Sequence, residues 1–223
     1  IRRRFVTGEG VAVSDYSIEV RIRLGLTELG TTFIKLGQMM STRADLVGPE
    51  LAVELASLQA DTPADPPAVV RATIHSELGA PPEELFAWFD ENALASASVG
   101  QVHLARLADG VDVVVKVQHA GIESKVRSDL NLLGAVAQLA ETNSKELAHY
   151  HPTATVAEFS RSLRRELNFH TELTNLLRFA QNFAGDPKVH IPVAYPELSS
   201  RRGLTMEKLN GYSVANSAQM AAD

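Results

Sequence analysis

The N-terminal part of the chain has the apolar spacing of an amphipathic helix. Between Ser14 and Thr42 the large apolar residues recur three or four positions apart, as one face of a helix requires. The members of this face are Leu29, Phe33, Leu36 and Met40. Lys35 and Gln38 are three residues apart and project together from the opposite face. On periodicity alone, a solvated helix face is the simpler interpretation of that polar pair.

Two further helices are predicted before residue 80. Gly48-Pro49-Glu50 is a typical helix start, and the proline-rich segment Asp61–Pro67 interrupts the second helix. The third helix covers about residues 68–78 and ends at Gly79. Residues 1–80 are therefore predicted to form a helical N-terminal extension.

The middle of the chain changes to a strand pattern. Gln101–Leu107 alternates apolar and polar positions, Asp109-Gly110 is a hairpin-turn signal, and Val111–Val117 is the return strand. The apolar members of the first strand are Val102, Leu104 and Leu107. Lys116 lies within the sequence VDVVVKVQ. A lysine in a buried strand is costly unless an anion or a carboxylate meets it, so its partner becomes the central question.

The second half predicts helices and then short strands. A helix is expected over residues 122–139, and a long one over Thr153–Phe183 carries both Glu166 and Glu172. Six residues turn a helix by about 600°, so these two carboxylates would point about 120° apart. The later predicted elements are strands at Val189–Val193 and Gly203–Met206, then a linker at 207–211 into a final helix. This order predicts an α+β fold, with a small antiparallel sheet beside a long helix.

Composition narrows the function classes. The chain has 223 residues, 45% hydrophobic and 22% charged, as is ordinary for a globular protein. Its net charge of −6 argues against nucleic acid as a partner. The absence of cysteine excludes disulfides and thiolate sites. The sequence contains no Ser-His-Asp elbow, Walker loop or zinc-ligand spacing.

Lys116 and Glu172 are the strongest candidate pair. A strand lysine and a later helix glutamate form the pairing that orders a kinase nucleotide site. Two simpler interpretations stay open: Lys116 extends to water at a strand end, and Glu172 is an exposed helix acid. The small-residue segment 95–100 precedes the Lys116 strand, and such a loop lets backbone N–H groups approach phosphates. It contains one glycine rather than G-x-G-x-x-G, so a tight turn explains it equally well.

Four segments of the chain resemble the UbiB/ADCK family of atypical protein-kinase-like proteins. They are TTFIKLGQMMSTRADLVGPEL (31–51), ASASVGQVHLARLADGVDVVVKVQHAGI (95–122), RRELNFHTELTNLLRF (164–179) and LTMEKLNGYSV (204–214). They occur in the family's order and cover most of residues 26–214. The resemblance implies a kinase-like N-lobe at 81–211, after the helical extension, and the start of a C-lobe at 212–223.

The resemblance implies that this N-lobe binds ATP or ADP. Lys116 matches the nucleotide-positioning lysine, and Glu172 matches its helix partner. The alanine-rich loop that replaces the kinase glycine-rich loop corresponds to Ala95, Ser96, Ala97, Ser98 and Val99. The hinge that would bind adenine through backbone groups corresponds to Met206, Glu207 and Lys208.

The resemblance also implies a regulatory set. Lys35 and Gln38 match the family's K-x-G-Q motif, which lies on the added N-terminal helix and packs over the nucleotide pocket. Glu166 matches the first acid of an E-x-D motif that is expected to face the K-x-G-Q helix. Asn168 stands where the family usually has aspartate, which removes a charge.

For the whole protein, the resemblance implies an atypical kinase or ATPase linked to isoprenoid-quinone lipid metabolism. The catalytic aspartate and the magnesium ligands are expected in the C-lobe, because nothing after Gly211 matches them. No catalytic residue is therefore assigned, and this chain alone is expected not to hydrolyse ATP. Expected partners are the nucleotide, the protein's own C-lobe, and prenyl lipids or quinone-pathway enzymes.

Location and the competing function are also expectations. The resemblance implies the cytoplasmic side of a membrane, reached through segments outside this span. Apolar surface left where the C-lobe docks is expected to favour self-association. The alternative function is a non-catalytic, pseudokinase-like module that docks a lipid or an enzyme through the helices at 14–79.

Overall fold

The computed structural model describes residues 15–59 and 62–211. Their contacts form two compact units. The helical unit contains the described residues of 1–63 together with 96–99 and 121–167, and the sheet unit contains 64–95, 100–120 and the described residues from 168 onward. The domain boundary near residue 80 stays a prediction. The expected C-lobe start at 212–223, with its final helix, lies outside the described residues.

Ten α-helices and five short strands occur among the described residues. The helices are α1 (Ile18–Leu29), α2 (Thr31–Ser41), α3 (Ala44–Val47), α4 (Pro49–Ala56), α5 (Pro67–Leu78), α6 (Pro82–Leu85), α7 (Ile122–Asn143), α8 (Lys145–Ala148), α9 (Pro152–Glu166) and α10 (Phe169–Asn182). The strands are β1 (Trp88–Phe89), β2 (Ala95–Ser96), β3 (Gly100–Arg106), β4 (Asp112–Gln118) and β5 (Gly203–Glu207). The α+β prediction is confirmed.

The helix predicted over 14–42 is two helices in the structure. Gly30 lies between α1 and α2 with φ +90°, a conformation that glycine adopts without a Cβ penalty. Its N–H donates to the carbonyls of Leu26 and Thr27 and so ends α1. The apolar periodicity continues across this break, which is why the sequence pattern indicated a single helix.

Helices α7 and α9 of the helical unit are joined by a capping contact. Helix α9 has no side-chain cap from its own N-cap residue, His151. Instead, the Glu141 carboxylate of α7 accepts the backbone N–H of Thr153 at 3.0 Å and also its hydroxyl. These two hydrogen bonds lower the pKa of Glu141 and keep the carboxylate charged. Phe159 and Leu163 bury the inner face of α9.

The sheet unit is built on an antiparallel sheet with the order β1-β3-β4-β5. The predicted hairpin of β3 and β4 is confirmed. Gly110 has φ +91°, and the Leu107 N–H donates to the Val111 carbonyl at 2.9 Å across the turn. Helix α5 covers one face of the sheet, where the core consists of Val70, Ile74, Phe86, Ala105, Leu107, Val113, Val115 and Val117.

The buried face of β3 is not the face that carries its apolar members Val102 and Leu104. Gln101, His103 and Ala105 are buried, whereas Val102 and Leu104 are only half-buried. The first three lie opposite Val117, Val115 and Val113 of β4, and cross-strand partners share a face of the sheet. The buried valines of β4 therefore determine which face of the sheet enters the core. Gln101 and His103 lie on that face and are buried with them.

Two later element predictions are wrong. No strand forms over 189–193; only Ala194 makes an isolated bridge, to Met206. Pro187 and Pro192 have no N–H to donate to a strand ladder, which weakens pairing there.

The long helix predicted over 153–183 is interrupted after Glu166. Asn168 leaves the helical conformation, with φ −107° and ψ 94°, and its side-chain oxygen accepts the His170 N–H at 3.2 Å. Asparagine is among the strongest N-cap residues, so it starts the new helix α10 here. Glu166 and Glu172 therefore lie on different helices, and the 120° argument does not apply.

The free energy of unfolding should fall as the pH drops below about 6.5, because His103 is held neutral in the fold. Burial lowers the pKa of His103 from its ordinary value of 6.5, so the unfolded chain takes up a proton more readily than the folded chain. Stability is therefore complete above the unfolded-state pKa and declines below it, down to the lower folded-state pKa. Thermal unfolding from about pH 8 to about pH 5 checks this.

The matched variants for that measurement are two histidine substitutions. His103→Gln should flatten the decline on the acid side. His75→Gln, at an exposed position of α5, should keep the wild-type profile. Equal pH profiles for wild type and His103→Gln would contradict the prediction.

Candidate nucleotide site

Lys116 and Glu172 meet in the sheet unit. The Lys116 Nζ lies 2.6 Å from the Glu172 Oε2, which joins the far end of β4 to the first turn of α10. The two side chains are 25% and 42% exposed, so the pair is hydrated and within reach of a ligand. Of the interpretations that the sequence left open, the structure shows the lysine paired with the glutamate.

Phe169 is a site residue that sequence reasoning missed. Its ring is 1% exposed and lies under the ammonium group of Lys116, with 4.5 Å between Nζ and the ring centroid. Phe169 and Glu172 are three residues apart on α10, so both face the lysine. The available signal was an apolar residue directly after a capping asparagine and one turn before the glutamate.

An apolar surface adjoins the lysine on the sheet face opposite α5. Cross-strand pairing places Val102 opposite Lys116, and Val114 opposite Met206, on this face. Leu204 pairs with Lys116 from β5 and is fully buried, whereas the other members are half-buried. The half-buried members are Val102, Leu104, Val114 and Met206. A flat apolar surface beside a cation can receive a molecule with an aromatic ring and an anionic group.

The predicted hinge residues are already partly engaged in backbone pairing. The Glu207 N–H donates to the Val193 carbonyl at 2.8 Å, and the Lys208 N–H donates to the Asp112 carbonyl at 3.1 Å. The Glu207 carboxylate accepts the Val193 N–H at 3.1 Å and lies 2.9 Å from the His190 Nε2. These contacts lower the pKa of Glu207, with the Val193 hydrogen bond as the largest cause.

The small-residue loop is only partly exposed. Ala95 and Ala97 are exposed, and Ser96 is half-buried. Ser98 and Val99 are 4% and 5% exposed, so they belong to the packed interior. Residues 96–99 belong to the helical unit. A phosphate-binding role for this loop stays a prediction.

The K-x-G-Q residues have partners within the helical unit. The Lys35 Nζ lies 2.5 Å from the Glu166 Oε1, as the E-x-D match implied. The Gln38 side-chain amide donates to the Leu58 carbonyl at 3.0 Å, just beyond α4. Asn168, the third position of that motif, caps α10 instead of supplying a charge.

Gly37 gives Leu58 room to pack against α2. A Cβ at Gly37 would lie 2.3 Å from Leu58 Cδ1, 3.1 Å from Leu26 Cδ1 and 3.5 Å from Leu55 Cδ2. Leu58 is 4% exposed and belongs to a core cluster with Ile34 and Leu55, so its side chain has little space to rotate away.

Gly37→Ala should therefore lower the free energy of unfolding. The overpacking costs about 1–3 kcal/mol and outweighs the gain of about 1 kcal/mol in helix propensity. Gly134→Ala in α7 is the matched control, because nothing lies within 4 Å of its added methyl group. That variant should gain up to about 1 kcal/mol. Urea unfolding of both variants checks the opposite signs, and a Gly37→Ala chain as stable as wild type would refute the packing argument.

The described residues contain neither a metal-ligand cluster nor a helix suited to crossing a bilayer. Within 15–59 and 62–211, no group of three or more His, Asp or Glu side chains is arranged to hold a metal ion. In the same ranges, no helix combines the length and the apolar character needed to cross a bilayer.

The chain is similar to known proteins in sequence and in fold. The ABC1 atypical kinase-like domain matches residues 57–223. Two proteins named probable protein kinase UbiB are similar in sequence. That of Pseudomonas paraeruginosa is 41% identical over 196 residues, 88% of this chain and 37% of its own length. That of Shewanella baltica is 39% identical over 203 residues, 91% of this chain and 37% of its own length.

A solved structure shares the fold. Rv3197 of Mycobacterium tuberculosis, in complex with erythromycin, aligns with a TM-score of 0.60 and 27% identity, over 69% of this chain and 38% of its own. The chain spans little more than a third of the length of these relatives. The shared kinase-like fold and the matched sequence lead to one conclusion: this chain belongs to the ABC1 atypical kinase-like family.

Proposed function

We propose that the sheet unit binds ADP or ATP on the sheet face that carries Lys116. The observation behind the proposal is the Lys116–Glu172 contact of 2.6 Å beside a half-buried apolar surface. Glu172 and the Phe169 ring hold the ammonium group near that surface, so a phosphate would meet a cation already in position.

The adenine ring would lie on the apolar surface of Val102, Leu104, Val114 and Met206. Such a surface excludes water from the flat ring, while backbone groups at its edge provide specificity. Because the N–H groups of Glu207 and Lys208 already donate to the Val193 and Asp112 carbonyls, a ring that needs a backbone donor would find it at Leu209. Leu209 is 48% exposed, which suits that role.

The K-x-G-Q helix would regulate this site. The Lys35–Glu166 ion pair joins α2 to α9, and both residues occupy the regulatory positions that the family resemblance assigns. We expect Glu166→Gln to change the rate of nucleotide exchange rather than the fold, because both side chains of the pair are partly exposed.

The activity of the whole protein is a further part of the proposal. The relatives are named probable protein kinases, and the matched region covers only 37% of their length. We propose that the magnesium ligands and the catalytic aspartate belong to sequence that this chain does not span. We also propose that the whole protein is an atypical kinase or ATPase acting in isoprenoid-quinone metabolism.

The direct experiment is a nucleotide titration of the purified protein with and without magnesium. Ligand binding to the folded state raises the melting temperature according to concentration and affinity. We expect ADP and ATP to raise it and AMP to raise it less, because AMP has only the first of the α- and β-phosphates that Lys116 would hold. If millimolar ADP and ATP leave the melting temperature unchanged, the nucleotide proposal fails and the interaction-module alternative is favoured.

A further inference from the structure

Two polar side chains are buried directly behind the strand pair that carries Lys116. Gln101 and His103 are 1% and 0% exposed and point into the α5 side of the sheet. They flank Val102, the cross-strand partner of Lys116. The proposed nucleotide face and this polar cluster therefore lie on opposite faces of β3, at residues 101–103.

The cluster is a relay of hydrogen bonds that runs in one direction, from the Asp65 N–H through Gln101 and His103 to the Asp90 carbonyl. The Asp65 backbone N–H donates to Gln101 Oε1 at 2.5 Å. Because a backbone N–H can only donate, the Gln101 amide is oriented with its nitrogen toward His103, 2.8 Å from Nε2. His103 Nε2 must then accept, so Nδ1 carries the proton and donates to the Asp90 carbonyl at 2.8 Å.

Asp65 extends this chain to the other strand. Its carboxylate accepts the Ala120 N–H at 2.9 Å and lies 3.2 Å from His119 Nδ1. Ala120 follows the last residue of β4 by two positions. One aspartate therefore holds the beginning of β3 through its N–H and the end of β4 through its carboxylate.

The surroundings of His103 suit a neutral ring. The Phe89 ring stacks on it, with centroids 5.1 Å apart. Burial lowers the pKa of His103 and so favours the neutral ring. The neutral ring is also the form that these hydrogen bonds require. Each of these polar groups has a partner, which a buried polar chain needs in order to be stable.

Such a chain fixes strand register in a way that an apolar core does not. A strand that slips by two residues keeps its apolar side chains in the core, because side chains alternate with a period of two. The same slip would separate Gln101 from Asp65 and His103 from the Asp90 carbonyl. Polar residues at these two positions therefore add specificity where valine or leucine would add only burial.

We propose that Asp65, Gln101 and His103 are positioning residues for Lys116. They hold β3 and β4 in register from the α5 side, and so fix where the ammonium group stands on the opposite side. They touch no ligand themselves. The test by ADP binding rests on the proposed nucleotide function. The tests by NMR and by hydrogen exchange rest on the geometry alone.

The first test reads the His103 ring directly. Nitrogen NMR of the wild-type protein should show the neutral ring protonated at Nδ1. In Gln101→Glu the new carboxylate can accept from both Asp65 N–H and His103 Nε2, so the ring should gain a proton at Nε2 with the fold retained. A wild-type ring protonated at Nε2 alone, or a Gln101→Glu ring without the added proton, would overturn the relay.

The second test separates positioning from stability. Gln101→Leu keeps the size of the side chain and removes its hydrogen bonds, and it should weaken ADP binding by about tenfold. Thr205→Val is the matched control, because Thr205 is a fully buried polar residue of β5 whose hydroxyl donates to the Leu198 carbonyl outside the relay. It should lower the melting temperature and leave ADP affinity unchanged. Unchanged ADP affinity in Gln101→Leu would refute the proposal.

A third readout distinguishes this proposal from the nucleotide proposal. If wild-type protein binds no ADP, the proposed function fails and the relay is judged by hydrogen exchange alone. Gln101→Leu should then speed exchange of the β4 amides around Lys116 more than Thr205→Val does. Equal exchange in the two variants would overturn the relay.

Discussion

Lys116→Met should weaken the binding of ADP and ATP by about 10- to 100-fold. Hydrogen bonds to a charged group contribute about 1.5–3 kcal/mol, and each 1.4 kcal/mol corresponds to a factor of ten in affinity. Methionine keeps the apolar stem against Phe169 and removes only the cation, so the fold should be retained. Isothermal titration with each nucleotide measures the loss directly.

Two further variants make that result specific. Glu172→Gln keeps an oxygen that can orient the ammonium group, so it should lose less affinity than Lys116→Met. Arg71→Met removes a cation from α5, on the opposite face of the sheet, where Arg71 lies 3.0 Å from Glu91, and it should bind nucleotides as wild type does. Equal losses in Lys116→Met and Arg71→Met would show that general charge, not Lys116, governs binding.

Phe169→Ala should lower the free energy of unfolding by about 3–5 kcal/mol and also weaken nucleotide binding. Removing a buried phenylalanine leaves a cavity where the ring now closes the space under Lys116. The ring also attracts the ammonium group through its π face, a contribution of about 0.5–2 kcal/mol that alanine cannot replace. Urea unfolding and ADP titration of the same preparation report the two effects.

Two controls separate packing from positioning at Phe169. Phe169→Leu fills most of the space and lacks the π face, so most of the stability should return while binding stays weaker than in wild type. Phe159→Ala removes a ring that is 3% exposed in α9 of the helical unit, and it should cost similar stability without changing ADP affinity. A Phe169→Ala chain with wild-type stability would contradict the burial argument.

Local patterns in the sequence are sufficient for the hairpin of β3 and β4, which follows from alternation and from Asp109-Gly110, whose turn needs the positive φ that Gly110 supplies. For Lys116, the residues alone leave two simpler interpretations open beside the pairing with Glu172. The family resemblance favours that pairing and also directs Glu166 toward the helix of Lys35, and both contacts are present in the structure.

Features decided by competition between residues were not predictable in the same way. The apolar residues of β3 indicate one face, but the three buried valines of β4 determine which side enters the core. Gln101 and His103 are buried for that reason, and a single-strand pattern contains no information about a partner strand. Likewise, the apolar spacing across 153–183 concealed a break that depends on one capping side chain at Asn168.

The cap at Asn168 has a consequence for how this position can vary during evolution. Asparagine and aspartate cap helices about equally well, because either side-chain oxygen accepts the same N–H group. The exchange of the usual family aspartate for Asn168 therefore preserves the backbone at the start of α10 and removes only a negative charge. Position 168 can therefore carry either a neutral or a negative side chain next to Phe169 while the start of the helix that carries Glu172 stays the same.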